Sequence, residues 1–368
     1  MSEKVKYDLD SLLRVTGNGL AQKATSASLN GLRCESRRLI TKGPDSNHGL
    51  VFMTRPQINL STANIAGVNE LYPLLNETWQ SIGAWVRGTL DPRWAIHGDR
   101  EDRENRYNES LFYDDNYKYD PKLRHTLADP YSAFINIVTN NVIGISGFPD
   151  VQYPSFASQP GRLGQTFQII DGVNNLNQPI ELTITLRDMV GDPIYHLFRI
   201  LSLYSSKCYE GTLSRYPDFI LEDCIDYNVR LFRIRLSGAD RKVSSIASTY
   251  PGFVQGVASG SKYDYNLQEP YTEARDISYR FNFSGAVYED PLLIADFNGL
   301  VVDANPFMRD NKISRYMRKL TTSELSLFSY EKLYPYIDIN TLSFDWYIQR
   351  TKYEDVMSSV ETYRSKLG

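Results

Sequence analysis

The side chains best suited to chemistry in this sequence are four histidines, His48, His97, His125 and His196. No two of them have metal-ligand spacing, and no His-Glu-x-x-His occurs. Gly144-Ile145-Ser146-Gly147 begins like a nucleophile elbow but lacks its closing glycine. Gly17-Asn18-Gly19 supplies two of the three glycines of a dinucleotide fingerprint, and it follows no expected strand. A phosphate-cradling Gly-Lys-Ser/Thr loop is absent. Asp223 and Asp226 form a carboxylate pair of the kind a glycosidase needs. The acidic stretch Asp114-Asp115 to Asp120 has cation-binding side chains without the residue order of a calcium loop. These residues lead to the expectation of no cofactor, no metal site and no enzyme. A hydrolase with a dispersed site is the only catalytic reading left open.

The elements that would position such residues are clearer than the residues themselves. Glu181 to Arg187 alternates strictly, with Leu182, Ile184 and Leu186 on one face and Thr183 and Thr185 on the other. That is the period of a strand with one buried side. Asp192-Pro193 then starts a helix whose apolar face is Ile194, Leu197, Phe198, Leu201, Tyr204 and Cys208, with Gly211 ending it. Ile277 to Phe283 repeats the strand pattern, placing Tyr279, Phe281 and Phe283 on one face. Gln165 to Ile170 reads as a strand closed by an Asp171-Gly172 turn, and Val229 to Leu236 as another, preceded by a short element at Asp218–Glu222.

Further upstream, Asn69 to Leu90 has helical spacing, and Asp129-Pro130 looks like a cap-and-start pair for Tyr131 to Val138, where helix and strand remain open. Residues 238–276 read as a long Gly/Ser/Tyr loop with at most one short strand. Leu292 to Ala295 and Leu300 to Val302 are short apolar runs. The chain is expected to turn helical from about 305, ending in an amphipathic segment from Phe344 to Lys366. The divisions that follow are an extended arm over 1–48, a mixed α/β region over 49–160, a β domain over 161–303 and a helical C-terminus over 304–368.

Composition limits the partners. The formal net charge is −4, and the 40 basic residues form no block, so a general grip on nucleic-acid phosphates is not indicated. Three cysteines without short spacings argue against a disulfide framework or a zinc site and point to a reducing compartment. There is no apolar leader and no long apolar run, so a soluble, non-exported chain without membrane contact is expected. Tyrosine is abundant, 26 against 16 Phe and 4 Trp, which suits faces that bury against other proteins.

The stretch from 165 to about 300, with its alternating Leu182–Arg187 strand, the Asp192-Pro193 helix and the late Ile277–Phe283 strand, resembles the tail-tube family of contractile phage tails and related injection machines. The resemblance implies an α+β fold, mainly an antiparallel β-sandwich or barrel with a flanking helix. Here it would carry an N-terminal extension and a helical C-terminus. It also implies a cyclic ring, a hexamer, that meets neighbouring tail or baseplate proteins, with DNA only as cargo in a lumen. Such a protein belongs to the virion tail and is assembled in the host bacterial cytoplasm. The additional chain at both ends suits a tube-initiator or baseplate ring better than a repeated tube subunit. A tail terminator, neck or baseplate-wedge protein is the alternative, and a carbohydrate-binding or glycan-hydrolysing protein is the alternative from another class.

Interface candidates are Tyr263, Tyr265 and Tyr271 in the long loop and Phe344, Trp346, Tyr347 and Tyr353 in the C-terminal segment. Leu182, Ile184, Phe281 and Phe283 are expected in the core.

Overall fold

The computed structural model describes residues 48–75, 81–93, 128–237, 242–260, 276–329 and 331–367. The acidic 114–120 stretch, the glycines at 17 and 19, His97, His125, Cys34 and nearly all of the expected arm lie outside them. In chain order the first part runs β1 (His48–Met53), α1 (Thr62–Ile65), α2 (Ile82–Leu90), α3 (Asn136–Asn141), β2 (Val142–Ser146), β3 (Ser155–Ala157) and β4 (Gln168–Ile170). The middle comprises β5 (Ile180–Arg187), α4 (Pro193–Tyr209), α5 (Pro217–Leu221), β6 (Leu231–Leu236), β7 (Val243–Thr249), β8 (Gly252–Val257), β9 (Asp276–Phe283) and β10 (Ala286–Tyr288). The last part holds α6 (Leu292–Ala304), α7 (Asp310–Tyr316), β11 (Met317–Lys319), β12 (Tyr334–Ile337), β13 (Phe344–Gln349) and α8 (Arg350–Leu367).

The fold is α+β, built from antiparallel sheets and helices. One four-stranded sheet has the order β2-β5-β9-β8 and a second the order β1-β6-β7-β10. Strands from before and after residue 160 share both sheets, since β1 pairs with β6 and β2 with β5. The chain passes from the second sheet to the first at Tyr250-Pro251, where Val229 bridges Gly252. A Cβ at Gly252 would lie 2.2 Å from the Asn282 carbonyl oxygen, so only glycine fits this corner. The sheets meet there without closing, and the expected barrel is not formed among the described residues.

The strand–helix unit at the centre follows its sequence pattern. Leu182, Ile184 and Leu186 are fully buried and lie in register with Phe281, Tyr279 and Ile277 of β9. Phe198 of α4 packs its ring 4.5 Å from Tyr279 and 5.5 Å from Phe281, centroid to centroid, sealing that face of the sheet. The helix cap differs from expectation. Asp192 has left-handed backbone (φ 52°) and makes no side-chain cap bond. Instead the buried carboxylate of Asp188 accepts from Ile194 N at 3.1 Å and Tyr195 N at 2.9 Å. Pro193 occupies the first helical position, where no N–H is needed, so the carboxylate serves the next two amides. Asp188→Ala orphans both, and the expected loss is about 1–2 kcal/mol in a urea titration, whereas Asp192→Gly, which keeps the left-handed turn, costs only a few tenths (~0.3 kcal/mol).

Several other expectations need correction. Asp129-Pro130 opens a turn: Asp129 Oδ1 accepts from Tyr131 N, Phe134 bridges Thr54 beside β1, and α3 begins only at Asn136. Asp218–Glu222 belongs to the short helix α5. The supposed loop over 238–276 contains two complete strands, β7 and β8. The two apolar runs after Leu292 are one helix, α6. The C-terminus is not wholly helical: Phe344–Gln349 is the central strand of a sheet ordered β11-β13-β12, and helix starts at Arg350. Aromatic, β-forming residues explain that strand.

Candidate assembly surfaces

No catalytic constellation forms from the residues singled out in the sequence. Asp226 is buried, and its Oδ2 accepts a 2.6 Å bond from the Tyr204 hydroxyl, which in turn accepts from Asn59 N. Asp223 sits exposed in a left-handed turn. His196 is half-buried on α4 beside Tyr195. Ser146 lies at the end of edge strand β2, with no strand-to-helix elbow around it. Among the described residues no group of three or more His, Cys, Asp or Glu side chains is placed to hold a metal. No described helix is long and apolar enough to cross a membrane.

What the molecule does present is a set of open surfaces. The first is the outer face of the β2-β5-β9-β8 sheet. Glu181, Thr183, Thr185 and Arg187 lie opposite Asn282, Arg280, Ser278 and Asp276. Arg187 is paired with Asp276 at 3.0 Å, Thr185 Oγ1 with Ser278 Oγ at 3.0 Å, and Arg280 lies 3.9 Å from Glu181. The Arg187 guanidinium holds the Asp276 carboxyl below its ordinary range. Two acids and two bases leave this face neutral and hydrophilic, so it is not an acidic surface. The sheet also ends in two free edges. Strand β2 carries the half-exposed Ile143, and β8 carries Phe253; each edge strand has a bulge. Open edges are templates for further strands.

The second surface is the β3–β4 hairpin. Phe156 pairs with Ile169, and Ser158 N donates to the Phe167 carbonyl. Below, Asn175 and Gln152 exchange bonds, and the Tyr288 hydroxyl fixes the Pro149 carbonyl at 2.7 Å. Above that base both hairpin faces are open. Phe167 is 72% exposed and Ile170 68%. A two-stranded hairpin without a covered face is marginal in water, and apolar exposure on this scale marks an interaction site.

The third surface follows α4. Asp218 of α5 holds Arg93 through both guanidinium nitrogens, at 2.8 and 2.5 Å, and that group lies over the rings of Tyr216 and Phe219. The Tyr216 hydroxyl and Leu60 N both donate to Asp91 Oδ2, at 2.7 and 2.8 Å. Polar groups thus clamp this segment to residues 57–93, while Ile220, Leu221 and Ile225 face outward.

The sequence-derived interface candidates divide differently. Phe344 is packed in the core against Phe52 and Trp346. Tyr353 is buried, stacked on Phe328, and donates to Glu324. Trp346 and Tyr347 are half-buried. Tyr263, Tyr265 and Tyr271 lie outside the described residues. The hairpin was read only as a strand and a linker. The signal for it was present in the near-absence of charge between Val151 and Val173, where only Arg162 and Asp171 are ionised.

A family model described as "Putative phage tail tube protein" matches residues 3–362. The chain belongs to the phage tail tube protein family. The match takes in the N-terminal region and the C-terminal sheet and helix as well as the central unit, so these parts are the family's own and not additions to it. No curated protein matches the sequence. Among solved structures the chain is similar to an anti-feeding prophage tube-terminating cap, at 11% identity and TM-score 0.25, over 40% of this chain and 78% of that one. It is also similar to a chain of the sheath-tube complex of the PVC extracellular contractile injection system, at 10% identity and TM-score 0.24, over 42% and 82%. A chain of that system's sheath/tube terminator shows 9% identity and TM-score 0.23, over 40% and 85%. At such TM-scores these likenesses carry no argument beyond the family membership.

Proposed function

We propose that this tail-tube family member is a ring-forming subunit of a contractile tail, acting by assembly and making or breaking no covalent bond. The observation that carries the reading is the β2-β5-β9-β8 sheet: both edges open, one face sealed by α4, the other polar and charge-balanced. Edge-to-edge continuation of this sheet from copy to copy removes the free edges, and a fixed rotation per contact closes a ring. Six copies are the proposed number. The neutral polar face then lines the bore, giving passing DNA neither a cationic grip nor an apolar surface to wet. Neighbouring tail or baseplate proteins are the other partners.

Within the tail we propose a ring of the tube-initiator or baseplate type, with a terminator or neck ring as the alternative position. The length of the chain no longer supports that choice, since the family match spans it. Gold-labelled antibody on isolated tails distinguishes the two by the end that is decorated.

The edge mechanism is tested with Ile143→Lys and Phe253→Lys, both at exposed edge positions. Wild-type chain, alone or added to tail proteins, is expected to give rings in negative-stain electron microscopy. The variants are expected to keep native circular dichroism and lose the rings. Rings that persist in both variants refute edge pairing. A chain that never joins a tail and cleaves a glycan refutes the structural reading itself.

A further inference from the structure

The subunit carries two unlike apolar surfaces, and neither covers the other within one chain. One is the β3–β4 hairpin, with Tyr153, Phe156, Leu163, Phe167, Ile169 and Ile170 exposed. The other is the outward side of α5 and the turn after it, where Leu221 is 87% exposed and Ile220 and Ile225 about half so. Ordinary amphipathic helices bury their apolar side; α5 does the reverse. Its carboxylate Asp218 is held inward by Arg93, and none of its residues is buried. Such inverted polarity leaves an apolar face in water unless a second molecule covers it.

We propose that the β3–β4 hairpin of one copy docks on the α5 face of a second copy. The proposal rests on the assembly reading above and adds a contact distinct from the sheet edges. A second copy is the occupant the molecule itself specifies. Two different uncovered patches on one chain make a heterologous, head-to-tail contact, in which each copy offers a hairpin at one side and an α5 face at the other. Charge does not oppose this match. Between Val151 and Val173 the only ionised residues are Arg162 at the tip and Asp171 at the base, and α5 has its single carboxylate tied inward. Docking also supplies the covered face that the hairpin lacks in the isolated subunit.

The test is complementation, run in the Ile143→Lys/Phe253→Lys background so that lateral sheet pairing contributes nothing. A hairpin variant, Phe167→Glu/Ile169→Glu, and an α5 variant, Ile220→Glu/Leu221→Glu, are each followed by sedimentation equilibrium. The background protein is expected to associate with rising concentration. Each variant alone is expected to stay monomeric, its affinity lowered by a factor of about 100 or more. An equimolar mixture is expected to form a heterodimer and stop there, because one intact hairpin and one intact α5 face remain. The milder Ile169→Ser and Leu221→Ser should each weaken association about tenfold with unchanged circular dichroism, which guards against misfolding. A hairpin variant that associates like the background refutes the proposal. So does a mixture that stays monomeric, which would assign the hairpin to its own kind or to a different protein. None of these results depends on whether rings form.

Discussion

Phe297→Ala is expected to destabilise the protein by about 3–5 kcal/mol, a large part of the roughly 5–15 kcal/mol that holds a folded domain together. Phe297 projects from α6, is fully buried, and is surrounded by aromatic rings. Its centroid lies 4.9 Å from Phe134, 5.2 Å from Phe52, 5.5 Å from Phe232 and 6.4 Å from Phe344. Those partners come from the segment beside β1, from β1, from β6 and from β13. One side chain therefore joins the β1-β6-β7-β10 sheet to the C-terminal sheet. Truncation leaves a cavity flanked by rigid rings, which cannot collapse to fill it. Urea titration should show a lower midpoint with an unchanged slope. Phe297→Leu, which keeps most of the volume, should cost about 1.5 kcal/mol or less. Equal losses for both variants would place the energy in ring-specific contacts and not in packing.

Asp226→Asn should remove a pH dependence and stabilise the protein near neutrality. Burial pushes the Asp226 carboxyl up to about 6, against the downward pull of the Tyr204 hydroxyl, of nearby backbone amides and of Arg215. Its Oδ1 is buried without a hydrogen-bond partner. Tyr204 and Cys208 face it from α4, and Arg215 and Tyr227 from the flanking loop; burial raises the Cys208 thiol to about 11 and also raises Tyr227, so neither carries charge at neutral pH. A carboxyl whose folded pKa lies above its unfolded value binds its proton more tightly in the native state. The stabilisation it gives is complete below about pH 4 and lost as pH rises through about 6. Between pH 4.5 and 7.5 the wild type should lose about 2 kcal/mol relative to Asp226→Asn. Glu324 works in the opposite sense, held down to about 2 by bonds from Thr321 and Tyr353, and is unchanged in the variant. The difference between the two proteins isolates Asp226. Parallel pH profiles would refute the assignment.

The central unit was legible because its signals are local. The alternation of β5 and β9 and the apolar stripe of α4 each repeat over several residues, and tertiary packing agrees with them. Where the reading failed, a residue serves something distant. Helix α6 looked like two short runs because Asn298 interrupts them. Yet Asn298 is buried: its Nδ2 donates to the Ile337 carbonyl at 2.7 Å and its Oδ1 accepts from Ile337 N at 2.9 Å, pinning β12. Strand β7 hid because Ser245, Ala247 and Ser248 are small and its partners lie in β6 and β10. The cap of α4 was assigned to the residue before proline, while the acceptor comes from Asp188 at the end of the preceding strand. The open surfaces were the least legible. Exposure of a residue such as Ile170 depends on what the rest of the chain leaves uncovered, which no local pattern records.

The junction at Gln349 and Arg350 has a mechanical meaning. Strand β13 runs into α8 without an intervening loop, and Arg350 Nη2 donates to the Ser314 carbonyl at 2.9 Å, tying the start of the helix to α7. Eighteen helical residues make a stiff rod about 27 Å long. With no hinge at its root, a sideways load on the rod's tip arrives as torque on the middle strand of the C-terminal sheet. That sheet shares the Phe344 contact with Phe297, so the torque passes onward into the second core. The C-terminal helix is thus a lever fixed to the body of the subunit.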